Sequence, residues 1–373
     1  SAALHLAREG ADVVLLEATH IGYGGSGRNV GLVNAGLWLP PDDIESRLGV
    51  DKGSALVDAL AGSPELVFSL IEQFDIQCEA TRNGTLHLAH SASGFKDLQV
   101  RHQQQIKRNA PVELLDEAQT RKRLGSAAFK GALLDHRAGT IQPFAYAQGL
   151  ADAASRVGAK LFERSAVSSL GYDGCWQVSG QGFEVQAPKL IQATNAYSTD
   201  ARAFATLHYS QWATAPLKDL PEILPNAEGC WDTATVMTSI RKDRENRLII
   251  GAMGNVAGPV GGIHARWARR KLKALFPELS RVAFEYEWSG KIAMSADYLP
   301  KVFALGEGAI SIQGYSGRGI GPGTWFGSVA AKWARTGDDS VFPCGVESVR
   351  TQSLRTIKSG VIEMGALASH LVG

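Results

Sequence analysis

The chain has 373 residues, of which 45% are hydrophobic and 20% charged, and its formal net charge is +1. That length buries a large core and predicts about two domains, while the balanced charge excludes the basic footprint of a nucleic-acid binder and an acidic tail. Cys78, Cys175, Cys230 and Cys344 lie far apart, with no CxxC and no His/Cys pair at metal spacing. Reduced thiols, a cytoplasmic location and no metal site are therefore expected. No run reaches the ~18 apolar residues of a membrane span.

In chain order, SAALHLAREGADVVLLE opens as a short helix followed by a strand. Ala2, Ala3, Leu4, Leu6 and Ala7 give the helix a small apolar face, and Gly10 suits a left-handed stop. Val13 to Leu16 form an apolar run of buried parallel-strand type, and Glu17 follows at once. Helix, strand and acid match the second half of a dinucleotide-binding βαβ unit, in which the acid bonds ribose hydroxyls. An ordinary strand-end glutamate is the alternative. The first strand and G-x-G-x-x-G loop of such a unit are expected just upstream of Ser1.

Gly22, Gly24, Gly25, Gly27, Gly31 and Gly36 then crowd one short stretch. Such density costs conformational entropy and marks backbone that bends sharply or approaches a ligand closely. A flexible linker fits less well, because Ser26, Arg28 and Asn29 add side-chain donors.

Pro40-Pro41-Asp42-Asp43 signals a helix start, and residues 55–74 carry apolar residues at helical spacing. A strand is predicted over 84–89, a charged helix over 95–109, and a turn at 139–143 leading into a helix over 146–157. Strands are predicted at 160–170 and 176–178, with a short buried strand at 189–192. The region 208–287 is strand-rich, with one helix near 265–275, and reads as an antiparallel sheet. Residues 308–312 form a strand, 314–324 a second glycine-rich loop, and 325–335 an amphipathic helix. Strand, glycine loop and helix place backbone amides at a helix N-terminus, an anion- or carbonyl-binding arrangement. Two such turns near the two chain ends, with different material between them, predict a nucleotide domain assembled from separated segments.

The helix-strand-Glu opening, GGSGRNVG, IQATNAYS and QGYSGRGIGPGT together resemble the FAD-dependent D-amino-acid oxidase/glycine oxidase superfamily. Within it, A-T-N-A-Y and W-S-G-K-I-A-M-S-A-D-Y-L-P (288–300) look most like the γ-glutamylputrescine oxidoreductase branch, with L-pipecolate oxidases and dehydrogenases also similar. The resemblance covers essentially the whole chain. It implies an α/β fold with a Rossmann-like FAD-binding domain (1–45, 140–204 and 301–373) and an α+β substrate domain with a mainly antiparallel sheet (46–139 and 205–300).

The resemblance also implies site residues. Glu17 would hold the adenosine ribose. Gly24, Gly25, Ser26, Arg28, Asn29, Gly31 and Leu32 would run along the pyrophosphate and flavin. Val167 would meet adenine through its backbone, and Thr194 and Asn195 would sit beside the cofactor. Gly317, Gly319, Ile320, Gly321 and Thr324 would cover the pyrimidine side of the flavin, where amides and a helix dipole stabilise negative charge.

Arg318 stands where many relatives carry His. It is read as a carboxylate partner or a neighbour of the flavin carbonyls, with a salt bridge at the loop base as the alternative. Tyr315 and Lys291 are expected to face the flavin, and Trp38 to lie near it. For Tyr315 the alternative is an aromatic lid, and for Lys291 an exposed strand lysine. Arg241 and Arg247 resemble a structural pair. Ala293 and Met294 occupy the region where sarcosine-oxidase-like members attach flavin through Cys, so FAD is expected to be non-covalent. Ile249 stands where those members place an oxygen-activating Lys, which leaves oxidase and dehydrogenase chemistry open.

The implied reaction is hydride transfer from an amine or amino acid to flavin N5, with oxygen or another acceptor reoxidising the flavin. No Ser/His/Asp triad is needed; His5, His87, His136 and His264 read as structural or surface residues. Without the upstream glycine loop, this form is expected to bind FAD weakly or not at all. A cofactor-free inactive form and a flavin domain acting on modified tRNA remain as alternatives.

Overall fold

The computed structural model describes residues 1–198, 204–217, 220, 222–349 and 355–372, and every candidate residue named above falls among them. The first helix, Ala2–Arg8, buries Ala3, Leu4 and Ala7 against Leu70, Ala153 and Ala154. It stops where Gly10 takes φ +82°, the left-handed conformation glycine tolerates. Strand Val14–Leu16 then pairs in parallel with Lys160–Phe162. A second small sheet joins distant segments: Leu190–Gln192 runs parallel to Ala309–Gln313, which pairs antiparallel with Lys301–Gly306. Beside these lies an antiparallel meander of Val167–Tyr172, Trp176–Gly180 and Phe183–Ala187.

The largest sheet among the described residues has eight strands. Their order is Phe284–Met294, Ala205–Thr214, Leu248–Met253, Ser239–Lys242, Gly229–Asp232, Thr85–Leu88, Ala132–Asp135 and Val112–Leu115. Neighbours are antiparallel, except that Gly229–Asp232 runs parallel to Thr85–Leu88. One face packs on helix Gly261–Leu275, where Trp212, Ile250, Leu86 and Phe276 close around Trp267 and Leu272. Full burial of such side chains contributes about 1.5–3 kcal/mol each. The α/β architecture with a mainly antiparallel second sheet is thus as expected.

Several local expectations are corrected. Residues 55–74 are two helices, Val50–Ala61 and Ser63–Phe74, because Pro64 has no N–H and suits a new first turn. Although this apolar stretch has the length and hydropathy of a membrane span, it is broken at Gly62. Its apolar faces pack on the smaller sheet and the first helix: Leu56 and Leu60 pack with Val302, Ile310 and Phe326, and Leu70 with Leu4. Gly25–Arg28, expected as loop, forms one helical turn. Leu190–Gln192 is half-buried rather than buried. The helix after the second glycine loop starts at Ile320, not Trp325, and takes Gly321, Pro322, Gly323 and Thr324 into its first turns. A final helix, Arg355–Val372, was not foreseen and packs on strand Ala205–Thr214 and helix Gly261–Leu275.

Candidate active site at two glycine-rich turns

The first turn is braced by its own polar side chains. Asn29 Nδ2 donates to the carbonyls of Gly25 and Ser26, both at 2.9 Å, and its Oδ1 accepts from the Gly31 amide at 2.8 Å. Asn29 is thus spent on shaping the loop. Gly31 has φ +88°, and a Cβ there would lie 2.1 Å from the Ile141 carbonyl oxygen. Only glycine allows that approach, which starts the pairing of Leu32–Val33 with Gly139–Thr140. Arg28 donates to the Ser289 carbonyl at 3.1 Å and lies over the Tyr23 ring, while Ser26 is exposed. Arg241, buried, donates from Nε to the Val30 carbonyl at 2.8 Å. Arg247 instead pairs with Glu245 and Glu285, so the two arginines do not act as a pair.

Glu17 ends its strand with Oε1 accepting from the Thr19 amide (3.0 Å) and hydroxyl (3.2 Å). The Ser165 amide donates to the Glu17 carbonyl at 2.8 Å, which brings the segment before Val167 to the same strand end. Val167 itself is exposed at the start of its strand. Thr194 is exposed, whereas Asn195 Oδ1 accepts from the Gly314 amide at 3.0 Å and ties the middle segment to the second turn.

In that second turn Ser316 (φ +52°) and Gly317 (φ +90°) reverse the chain. Gly319 then caps helix Ile320–Thr336 without a side-chain acceptor, so the first-turn amides keep no intrahelical or capping partner. At Gly321 a Cβ would lie 2.5 Å from Ser63 Oγ, so the helix start sits tight on the break between the two apolar helices. Ile320 packs on Val33, Ile141 and Tyr146, and Thr324 Oγ1 lies 3.1 Å from the Tyr146 hydroxyl.

Between the two turns lies Arg318, only 8% exposed. Its guanidinium carbon is 4.3 Å from the Trp231 ring centre and 4.9 Å from that of Trp38. One Nη donates to the carbonyls of Leu37 (2.9 Å) and Ala35 (3.3 Å). The Nε has no acceptor among the described residues. Burial, reinforced by the nearby Arg101 charge, lowers its pKa to about 9. Trp231 stacks on His87 at 3.4 Å, and burial holds that imidazole well below its ordinary pKa, hence neutral. Trp38 Nε1 donates to the Ser316 carbonyl at 2.5 Å and so locks the turn to the irregular segment after Gly36.

Arg318 lines a cavity with Asn34, Gly36, His87, Arg101, Asp135 and Arg137, over an apolar wall that includes Leu56 and Leu60. Tyr315 does not line it; the ring packs near Phe326, and burial raises the phenol pKa. Lys291 is exposed on strand Phe284–Met294, its Nζ 5.8 Å from the Tyr197 ring centre. The neighbouring Ile292 faces Gly317, and alternation along a strand turns Lys291 to the other face. Of the three side chains expected to act on substrate, the cavity therefore takes Arg318 alone. Trp231, His87, Arg101, Asp135 and Arg137 were not foreseen. They come from four separate segments, and none shows a motif in sequence.

The family model for FAD-dependent oxidoreductases (DAO) matches residues 1–333. This chain belongs to that family. Among relatives, it is 31% identical over 334 residues to the γ-glutamylputrescine oxidoreductase of Escherichia coli K12, covering 86% of this chain and 77% of that one. Among solved structures it resembles the L-proline dehydrogenase of P. horikoshii (TM-score 0.74, 18% identity, 91% of each chain). It also resembles the glycine oxidase of Geobacillus kaustophilus (TM-score 0.70, 19% identity, 90% of each chain). The chain is thus an FAD-dependent oxidoreductase. Its residues fit that cofactor: uncapped amides at a buried helix start and a fixed carboxylate at Glu17 are the donors and acceptors a dinucleotide requires.

Proposed function

We propose that this enzyme oxidises the C–N bond of an amine or amino acid, with a γ-glutamylputrescine-like or L-pipecolate-like substrate. The observation that carries this reading is the cavity lined by Arg318 of the second glycine-rich turn and by residues 34–37 that follow the first. The relationship to an amine oxidoreductase supports it.

When bound, FAD accepts the two electrons and the hydrogen removed from the C–N bond. The residues that would hold it are Glu17 at the ribose, the 24–32 turn along the pyrophosphate and flavin, and the Gly317–Thr324 turn with its helix dipole. Val167 and Asn195 would flank it. The chain's own part is orientation and exclusion of water. Trp38 and Trp231 flank the guanidinium of Arg318, whose buried Nε–H has no acceptor among the described residues. Neutral His87 backs Trp231 and adds no charge.

Ala293 is fully buried and Met294 offers no thiol, which supports non-covalent attachment. Ile249 is buried and apolar in its strand, which supports a dehydrogenase rather than an oxidase. Anaerobic mixing with a panel of amines tests the reading. Bleaching of the flavin by γ-glutamylputrescine or by pipecolate is expected, and slow recolouring when oxygen returns would mark a dehydrogenase. Bleaching by no amine would refute the reading.

A further inference from the structure

Helix Arg355–Val372 keeps one face on the protein and leaves an apolar face open. Ala366 and His370 are buried, and His370 stacks on Trp267 of helix Gly261–Leu275 with ring centres 4.1 Å apart. Val361, Met364, Ala368 and Leu371 are exposed instead, at intervals of three and four that set them on one stripe. Val361, Met364 and Leu371 are 63%, 71% and 60% exposed. Gly360 and Gly365, on the same helix, have no atom within 4 Å of where a Cβ would stand, so the described residues leave this side open. Single exposed apolar residues are ordinary, whereas a contiguous stripe marks an interaction surface.

The neighbouring helix supplies charge. Gly261–Leu275 carries Arg266, Arg269, Arg270, Lys271 and Lys273 and no Asp or Glu. Arg266, Arg269, Arg270 and Lys273 are exposed, again at spacings of one face. Lys271 pairs with Asp232 at 3.7 Å, but Arg266, Arg269 and Lys273 have no carboxylate within ion-pair distance among the described residues. Arg270 donates from Nη2 to the His370 carbonyl at 2.5 Å and so joins the basic face to the apolar helix. The acid of that helix, Glu363, is turned to His208 at 2.6 Å. With a formal net charge of +1 for the whole chain, this is a local concentration of cations.

We propose that these two helices form a docking face for an anionic lipid bilayer. Val361, Met364 and Leu371 enter the acyl boundary, while Arg266, Arg269 and Lys273 meet the headgroup phosphates. The protein lies on the bilayer and does not cross it. A second copy on the same stripe is disfavoured, because two-fold pairing would bring a second set of these cations to the same face.

The test is co-sedimentation of the flavin-loaded protein with mixed phosphatidylglycerol–phosphatidylcholine vesicles and with vesicles of phosphatidylcholine alone. Binding is expected to the first, about tenfold or more weaker to the second, and falling as salt rises. Met364→Ser with Leu371→Ser removes the apolar contact, and Arg266→Gln with Arg269→Gln and Lys273→Gln removes the charge. Each set should weaken binding to the anionic vesicles about tenfold or more. All five side chains are exposed, so both variants should fold, and retained flavin absorbance checks that they do. No binding to the anionic vesicles, equal binding to both vesicle types, or unchanged binding in either folded variant would each overturn the proposal. Binding of polyglutamate as tight as that of the vesicles would overturn it in favour of an acidic protein. Self-association that the serine variant loses would overturn it in favour of a second copy.

Discussion

The nucleotide side and the eight-stranded sheet solve different problems with different residue types. On the nucleotide side, sheets are small and the surfaces that matter are backbone: Gly31 against Ile141, Gly321 against Ser63, uncapped amides at Ile320. On the sheet side the core under helix Gly261–Leu275 is built from large side chains, with Trp212, Phe276 and Trp267 as the bulk. At Gly31 and Gly321 the first region has no room for an added atom, while the core of the second depends on atoms being present. Substitutions should therefore fail in opposite ways.

The sharpest break is Gly31→Val. The added Cβ has no space and the φ is unsuited to a branched residue, so a loss exceeding about 4 kcal/mol is expected. Loss of folded protein, or of its flavin absorbance, checks this. Two truncations set the regions against each other: Phe326→Ala and Trp212→Ala should each cost about 3–5 kcal/mol. Denaturant titration should give similar losses, but only Phe326→Ala should lower the flavin-to-protein ratio of the remaining folded fraction. Equal flavin loss in both would erase the distinction.

Arg318→Ala should cut turnover or carboxylate affinity about tenfold or more. Wild-type kinetics in that variant would remove Arg318 from the site. Acid should attack the sheet side first. His264 and His370 face each other Nδ1 to Nδ1 at 2.7 Å, and burial with neighbouring His264 and Arg270 lowers the His370 pKa to about 4 from 6.5. Below pH 6.5 the unfolded chain takes up the proton before the folded one. Stability is therefore lost as pH falls from about 6.5 to about 4, and Tm should drop by several degrees across that window. A flat Tm would refute it. The smallest effect is Tyr197→Phe, which removes the acceptor for the Lys291 amide and should cost about 1 kcal/mol in chemical denaturation.

Much of this was legible from spacing. The Ala2–Arg8 helix, the strand before Glu17 and both glycine-rich turns stand where the residues place them. What stayed hidden has physical causes. Helix Ile320–Thr336 begins in a run of Gly and Pro that propensity reads as loop, yet a first turn needs no proline N–H, and small residues let it sit on Ser63. The break at Gly62 was marked by Gly62-Ser63-Pro64-Glu65, a stop followed by a first-turn proline and acid, and the apolar spacing on either side of it masked the signal. The Trp38–Arg318–Trp231–His87 stack joins four segments that only long-range packing brings together, so no window of sequence contains it.

The parallel pairing of Thr85–Leu88 with Gly229–Asp232 also bears on how the protein is made. From position 85 to position 229, a ribosome adds roughly 140 residues, on the order of ten seconds of synthesis. Throughout that interval a strand whose four residues are all buried in the finished protein has one backbone edge without its final neighbour. Nascent chains paused between these positions should be the ones most in need of a chaperone.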